Sequence, residues 1–101
     1  MTPVPALHPR IAVNTMCLAG TRLDDDCDWA RSIGASMISI TPQKLDAMGW
    51  EAGVDAVRRS GLGVATVVSS MQFQLDDPSS WPAIRAKGCR VVDAAAAMVA
   101  R

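Results

Sequence analysis

Three short segments of the chain are apolar at nearly every position, and all three are rich in β-branched residues. They span residues 11–17, 36–40 and 63–68. A strand with one face in water alternates apolar and polar residues, whereas a nearly continuous apolar run is typical of a strand covered on both faces. The pattern therefore predicts three strands of a parallel sheet.

The segments between and after these strands have the periodicity of helices. Residues 23–33 carry three aspartates in their first turn, at 24–26, and acidic residues there favour a helix N-terminus. Gly34 follows this segment as a stop signal. Residues 49–60 place their apolar side chains on one helical face. A last helix is predicted from residues 79–80 to the end of the chain, through the alanine run at 94–97.

The predicted order is β-α-β-α-β-α, with strands that begin at residues 11, 36 and 63. Strands that alternate with helices at this spacing are typical of a parallel α/β fold. No linker or low-complexity tract divides the chain. We therefore expect one domain over residues 1–101, with residues 1–10 as an extended terminus.

Three strand-helix units leave one face of a sheet uncovered. If the strands lie in the order 1-2-3, right-handed crossovers place all helices on one face, and the other face of three apolar strands is bare. In a TIM barrel that face becomes the interior, but a complete barrel needs about 250 residues. A doubly wound sheet normally has about five or six strands. We expect the first three units of a truncated (β/α)8 barrel, or a unit that assembles with copies of itself.

Composition excludes several classes of protein. Ten Lys+Arg residues balance ten Asp+Glu residues, so we expect no cationic surface for nucleic acid. The sequence contains no run of 18 apolar residues, which a membrane-spanning helix would need. The N-terminus also lacks the apolar segment of a secretory signal. The three cysteines have no C-x-x-C spacing, which favours reduced, buried thiols in a cytoplasmic protein over a zinc site or a disulfide framework.

Polar residues follow the predicted strands where a barrel would bind its substrate. Loops at the carboxyl ends of the strands carry function in such folds. We therefore expect Asn14, Thr15, Gln43 and Ser69 to contact a substrate through hydrogen bonds. This set contains no acid-base pair, so the sequence predicts no catalytic residue.

Three further groups are interpreted as structural. Lys44 is expected to be a solvated loop lysine. Cys17 is excluded as a nucleophile because the only histidine, His8, precedes the first strand and lies at the opposite end of the sheet. The aspartates at 24–26 are expected to cap a helix, since successive helix residues do not converge on one ion. The chain is therefore predicted to hold no metal and no cofactor.

Five stretches of the sequence resemble a known family in their order and spacing. They are RIAVNT at 10–15, WARSIGA at 29–35, GWEA at 49–52, RSGLGVA at 59–65 and VVDAAA at 91–96. From about residue 10 to residue 101, the chain resembles the N-terminal part of xylose-isomerase-like TIM barrels, in the sugar phosphate isomerase/epimerase group. Residues 41–44 depart from the pattern, because relatives often have a charged residue near the end of the second strand.

The resemblance implies a barrel that isomerises or epimerises a small sugar or polyol with a divalent metal, which would be Mn, Mg or Zn. In the family, carboxylates and a histidine from about the fifth to the eighth strand hold that metal. The resemblance therefore implies that the 101 residues alone are inactive. Two alternatives stay open: a non-catalytic α/β module that forms a homo-oligomer through its open sheet face, and a barrel enzyme of different chemistry.

Overall fold

The computed structural model describes residues 5–68 and 74–99. Three strands and four helices follow one another within these two ranges. They are β1 (Ala12–Asn14), α1 (Leu23–Ser32), β2 (Met37–Ile40), α2 (Pro42–Met48), α3 (Trp50–Ser60), β3 (Gly63–Val67) and α4 (Trp81–Val99), with 3-10 turns at Thr15–Cys17 and Pro78–Ser80. The predicted strands and the three predicted helices are therefore present, with shifts of one to three residues at most of their ends.

The strands form one parallel sheet in the order β1-β2-β3. Val13 lies beside Ile38, which lies beside Val64 on the far side of β2. The register between β2 and β3 shifts after Ile38, so that Ser39 pairs with Thr66 and Ala65 is passed over. The prediction of a parallel α/β fold is confirmed at this level.

All four helices contribute to one core, which lies on one side of the sheet. Ile38 and Ile40 of β2 are fully buried, and they belong to the same apolar cluster as Leu23, Leu45 and Val57 from the first three helices. Ala94 and Met98 complete the cluster from α4. Burial of large apolar side chains at about 25 cal/mol per Å² is the main force that holds this layer on the strands.

The opposite face of the sheet differs from the sequence-based expectation. Because side chains alternate along a strand, this face presents the residues between the core positions. Among the described residues it carries Ala12, Asn14, Met37, Ser39 and Thr66, and the Thr66 hydroxyl donates to Ser39 Oγ at 2.9 Å. The face is therefore mixed rather than uniformly apolar: Asn14, Ser39 and Thr66 are polar, whereas Ala12 and Met37 are apolar.

Two predicted boundaries were also wrong, both at the carboxyl end of a strand. The first strand ends at Asn14 rather than at residue 17, because the Asn14 side chain accepts a hydrogen bond from the Met16 amide and turns the chain into a 3-10 helix. Residues 41–44 are not a loop, since α2 begins at Pro42. The fixed φ of proline suits the first helical position, where the missing N–H is not needed.

The N-terminal segment is partly docked rather than simply extended. The Leu7 amide donates to the Gly34 carbonyl at 2.8 Å, and the Leu7 side chain packs against the core. His8 is exposed, while residues 1–4 lie outside the described part. Within the described ranges, no helix combines the length and the apolar character that crossing a bilayer requires.

Candidate functional site

A cleft of about 590 Å³ opens at the carboxyl ends of β1 and β2. One wall is the segment that joins β1 to α1, and the other is α2. The cleft is lined by Thr15, Met16, Ala19, Gly20, Thr21, Arg22, Thr41, Gln43, Lys44, Ala47 and Met48. In open α/β sheets and in barrels, ligands bind at this end of the strands.

Lys44 holds the two walls of the cleft together. Its ammonium group donates to the Leu18 carbonyl, to the Thr21 carbonyl at 2.6 Å and to the Thr21 hydroxyl at 3.1 Å. Its Nζ also lies 2.9 Å from Asp26 Oδ2. One side chain of α2 therefore fixes both the β1–α1 segment and the first turn of α1.

The buried surroundings of this ion pair correct two sequence-based expectations. Lys44 is only 8% exposed, so it is not a solvated loop lysine, and Asp26 is 2% exposed. The expectation failed because α2 was not predicted, and α2 turns position 44 inward. Asp26 pairs with Lys44 instead of capping α1, whose N-cap residue Arg22 makes no side-chain capping bond.

The hydroxyl of Thr21 completes this network. It lies within hydrogen-bond distance of Asp26 Oδ1, so the carboxylate is held by Thr21 on one oxygen and by Lys44 on the other. The pairing offsets the cost of burying the charge only in part, because Asp26 Oδ2 lies 2.9 Å from Lys44 Nζ but makes no hydrogen bond among the described residues. Three hydrogen bonds and one ion pair engage the Lys44 ammonium, so this side chain tethers the two walls of the cleft.

The four predicted substrate contacts are placed differently by the structure. Thr15 and Gln43 both line the cleft, but Thr15 is fully buried and its hydroxyl donates to the Ser39 carbonyl at 2.9 Å. Gln43 is exposed on α2. Asn14 is exposed on β1 and is not among the lining residues. Ser69 lies outside the described residues.

The cysteines do not contribute a nucleophile to the cleft. Cys17 and Cys89 are exposed, which corrects the expectation of buried side chains, and Cys27 is buried. Burial raises the pKa of the Cys27 thiol to about 11. A protonated thiol in an apolar layer behaves as a small hydrophobic side chain.

The lining of the cleft suits binding better than proton transfer. Its two cationic side chains each pair with an aspartate: Lys44 with Asp26, and Arg22 with Asp24 at 3.1 Å. In the part of the chain that the structure describes, no three His, Cys, Asp or Glu side chains are grouped as metal ligands would be. The lining combines polar residues with the apolar side chains of Met16, Ala47 and Met48.

Sequence reasoning missed the Lys44–Asp26–Thr21 network, although part of its signal was present. Pro42 lies two residues after the end of β2, and proline is a common first residue of a helix, so it could have predicted α2. The pairing of two side chains that lie 18 positions apart has no signature in a single sequence.

The fold and the cleft together define an α/β protein with a three-stranded parallel sheet and a polar-apolar cleft at its strand ends. A scan against protein-family models finds no match for the chain, and no curated protein matches its sequence. The resemblance to xylose-isomerase-like barrels thus rests on the five sequence stretches alone.

Proposed function

We propose that this chain forms the first three βα units of a (β/α)8 barrel of the sugar phosphate isomerase/epimerase type, and that it works in the cytoplasm. One observation supports the barrel above others: the strands follow chain order, the helices cover one face, and a mixture of apolar and polar side chains occupies the other. A barrel interior is filled by such inward-facing side chains from several strands.

Within that protein, the chain's role is to bind and orient a small sugar or polyol. Gln43, Thr41 and Gly20 line one part of the cleft, and we place the ligand against this part of the lining. The Lys44 tether holds both walls in place, so the cleft keeps its shape before a ligand enters. Such pre-organisation lowers the entropy loss on binding.

The residues described here do not fit a metal centre. Isomerisation or epimerisation needs a metal or a base with a tuned pKa, and the cleft lining supplies neither. We therefore assign catalysis to residues outside this chain and derive no step through a metal.

The first experiment measures the intact mass of the protein in its native cells. A mass several-fold above 10.7 kDa is expected, because the proposal places the chain in a longer barrel. A mass of 10.7 kDa would contradict the barrel and would favour the non-catalytic module.

The second experiment tests the cleft itself by amide NMR of the 101-residue chain titrated with xylose, xylulose and ribose 5-phosphate. We expect weak binding that shifts the amides of Gly20, Thr41 and Gln43, and that Gln43→Ala reduces. Gln74→Ala is the matched control, since Gln74 is also exposed but does not line the cleft. Ligand-induced amide shifts that are the same in Gln43→Ala as in the wild type would contradict the assignment. Isomerase turnover by this chain with Mn²⁺ or Mg²⁺ would also contradict it.

A further inference from the structure

The carboxyl end of the middle strand carries a side-chain hydroxyl that the fold does not use. Thr41 follows β2 directly, lines the cleft and is only 5% exposed. Its hydroxyl makes no hydrogen bond within the described residues, and it does not cap α2, although Thr41 is the N-cap residue of that helix. The hydroxyls of the other described threonines, at 15, 21 and 66, are all bonded inside the fold.

The Thr41 hydroxyl also keeps some accessible surface. In the described part of the chain, Asp26 Oδ2 is the only fully buried side-chain oxygen or nitrogen without a hydrogen bond. Thr41 Oγ1 has no such bond either, so it is not fully enclosed, and the cleft is the space that Thr41 lines. Nearly buried polar groups are as a rule satisfied by a partner. A hydroxyl that the fold leaves without one at a cleft is placed to bond a ligand.

The surroundings of Thr41 come from elements that the chain itself contains. The strand that Thr41 follows is the central one, with β1 on one side and β3 on the other. The two walls of the cleft are the β1–α1 segment and α2, and Lys44 ties them together. The position of the hydroxyl therefore does not depend on the outer edge of β1 or of β3.

The two cations of the cleft are already paired, which bears on the charge of the ligand. The Arg22 guanidinium donates to both carboxylate oxygens of Asp24, at 3.1 and 3.2 Å. Four oxygens lie within 3.1 Å of Lys44 Nζ, one more than the three N–H donors of an ammonium group. The first turn of α1 carries Asp24, Asp25 and Asp26. A phosphate group would compete with these carboxylates for the cations and would be repelled by them, whereas an uncharged ligand would not.

From the unused hydroxyl and the paired cations, we propose that the cleft binds an uncharged polyhydroxyl compound in preference to its phosphate ester, and that Thr41 recognises a hydroxyl of this ligand. The inference rests on the proposed function and narrows its substrate class. A threonine hydroxyl both donates and accepts, so it pairs with a ligand hydroxyl in either direction. Met16, Ala47 and Met48 offer apolar contacts for the carbon chain of the ligand.

Ribose and ribose 5-phosphate test the preference, because they differ only in the charged group. Amide NMR titrations of the 101-residue chain at low ionic strength give both dissociation constants. We expect ribose 5-phosphate to bind about fivefold or more weakly than ribose. The difference should shrink in about 1 M NaCl, which screens charges. The uncharged 5-O-methylribose should bind like ribose, and this separates the effect of charge from that of size.

Asp24→Asn tests whether the pairing of Arg22 excludes the phosphate. The substitution removes the carboxylate that holds the guanidinium, so the affinity for ribose 5-phosphate should rise about fivefold. The affinity for ribose should not change. Asp28→Asn is the matched control, because Asp28 is exposed one turn further along α1 and pairs with no cation among the described residues. It should leave both affinities close to those of the wild type.

Thr41→Val tests the hydroxyl, since valine keeps the branched shape and lacks the oxygen. It should weaken ribose binding about threefold to tenfold, whereas Thr41→Ser should bind ribose like the wild type. Thr66→Val is the control, because its hydroxyl lies outside the cleft lining and donates to Ser39 Oγ. It should leave the ribose affinity unchanged. The urea midpoint should fall in Thr66→Val and stay unchanged in Thr41→Val, because only Thr66 uses its hydroxyl inside the fold.

The possible outcomes separate this inference from the proposed function. Ribose 5-phosphate that binds as tightly as ribose would overturn the preference and leave the sugar site standing. A ribose affinity that is the same in Thr41→Val as in the wild type would overturn the role of Thr41. Absence of binding by both compounds would contradict the proposed function and, with it, this inference.

Discussion

Replacement of Lys44 by methionine is the most direct test of the network that shapes the cleft. Methionine has a similar length but no charge, so it leaves the Asp26 carboxylate buried with only the Thr21 hydroxyl as a partner. It also removes the donor to the carbonyls of Leu18 and Thr21. Loss of one partner from a buried ion pair destabilises a protein by about 3–5 kcal/mol.

That loss is a large part of the total stability, because small domains unfold with only about 5–15 kcal/mol. Urea unfolding followed by tryptophan fluorescence measures it. With a slope of about 1–3 kcal/mol per M, the midpoint should fall by roughly 2 M. Lys87→Met is the matched control: the only other lysine is exposed on α4, and its replacement should change stability by less than about 0.5 kcal/mol.

The double variant Asp26→Asn with Lys44→Met separates the ion pair from simple packing. The second substitution removes the uncompensated charge, so the double variant should be more stable than the sum of the single effects implies, by about 1–3 kcal/mol. If Lys44→Met unfolds at the same urea concentration as Lys87→Met, water must solvate Asp26, and the tether described above does not exist.

Four further predictions concern single positions. Iodoacetamide at pH 8 should modify the two exposed cysteines of the folded chain and not Cys27, and three rapid adducts would contradict its burial. The pKa of Cys27 in the folded chain, about 11, exceeds the ordinary 9.0, so the contribution of this thiol to stability is complete below pH 9 and is lost as the pH rises toward 11. The unfolding free energy from urea titrations should therefore fall less between pH 9 and pH 11 in Cys27→Ala than in the wild type. Gly34→Ala should destabilise the chain by about 1–3 kcal/mol more than Gly61→Ala, because both have positive φ but only at Gly34 would a Cβ lie 2.6 Å from a backbone oxygen; equal urea midpoints would refute this. Thr15→Val should lower the unfolding free energy by about 1–3 kcal/mol through loss of its bond to β2, and an unchanged midpoint would leave the hydroxyl free for a ligand.

The sequence alone determined the elements that depend on local spacing. Continuous apolar runs predicted three strands, and helical periodicity, with Gly34 as a stop after α1, predicted α1 and α3. The parallel arrangement also followed, because short strands that alternate with helices leave few other topologies. These features rest on neighbours within about one or two helical turns, which a single sequence displays directly.

The tertiary structure alone decided the chemistry of the cleft. Lys44 and Asp26 each look like ordinary surface residues in the sequence, and they become a buried pair only because α2 and α1 meet above the strand ends. Thr15 was predicted as a substrate contact, yet its hydroxyl is engaged by β2. The mixed apolar and polar character of the open sheet face likewise depends on which positions the helices cover. Burial and charge pairing are properties of segments far apart in the chain, so local periodicity does not encode them.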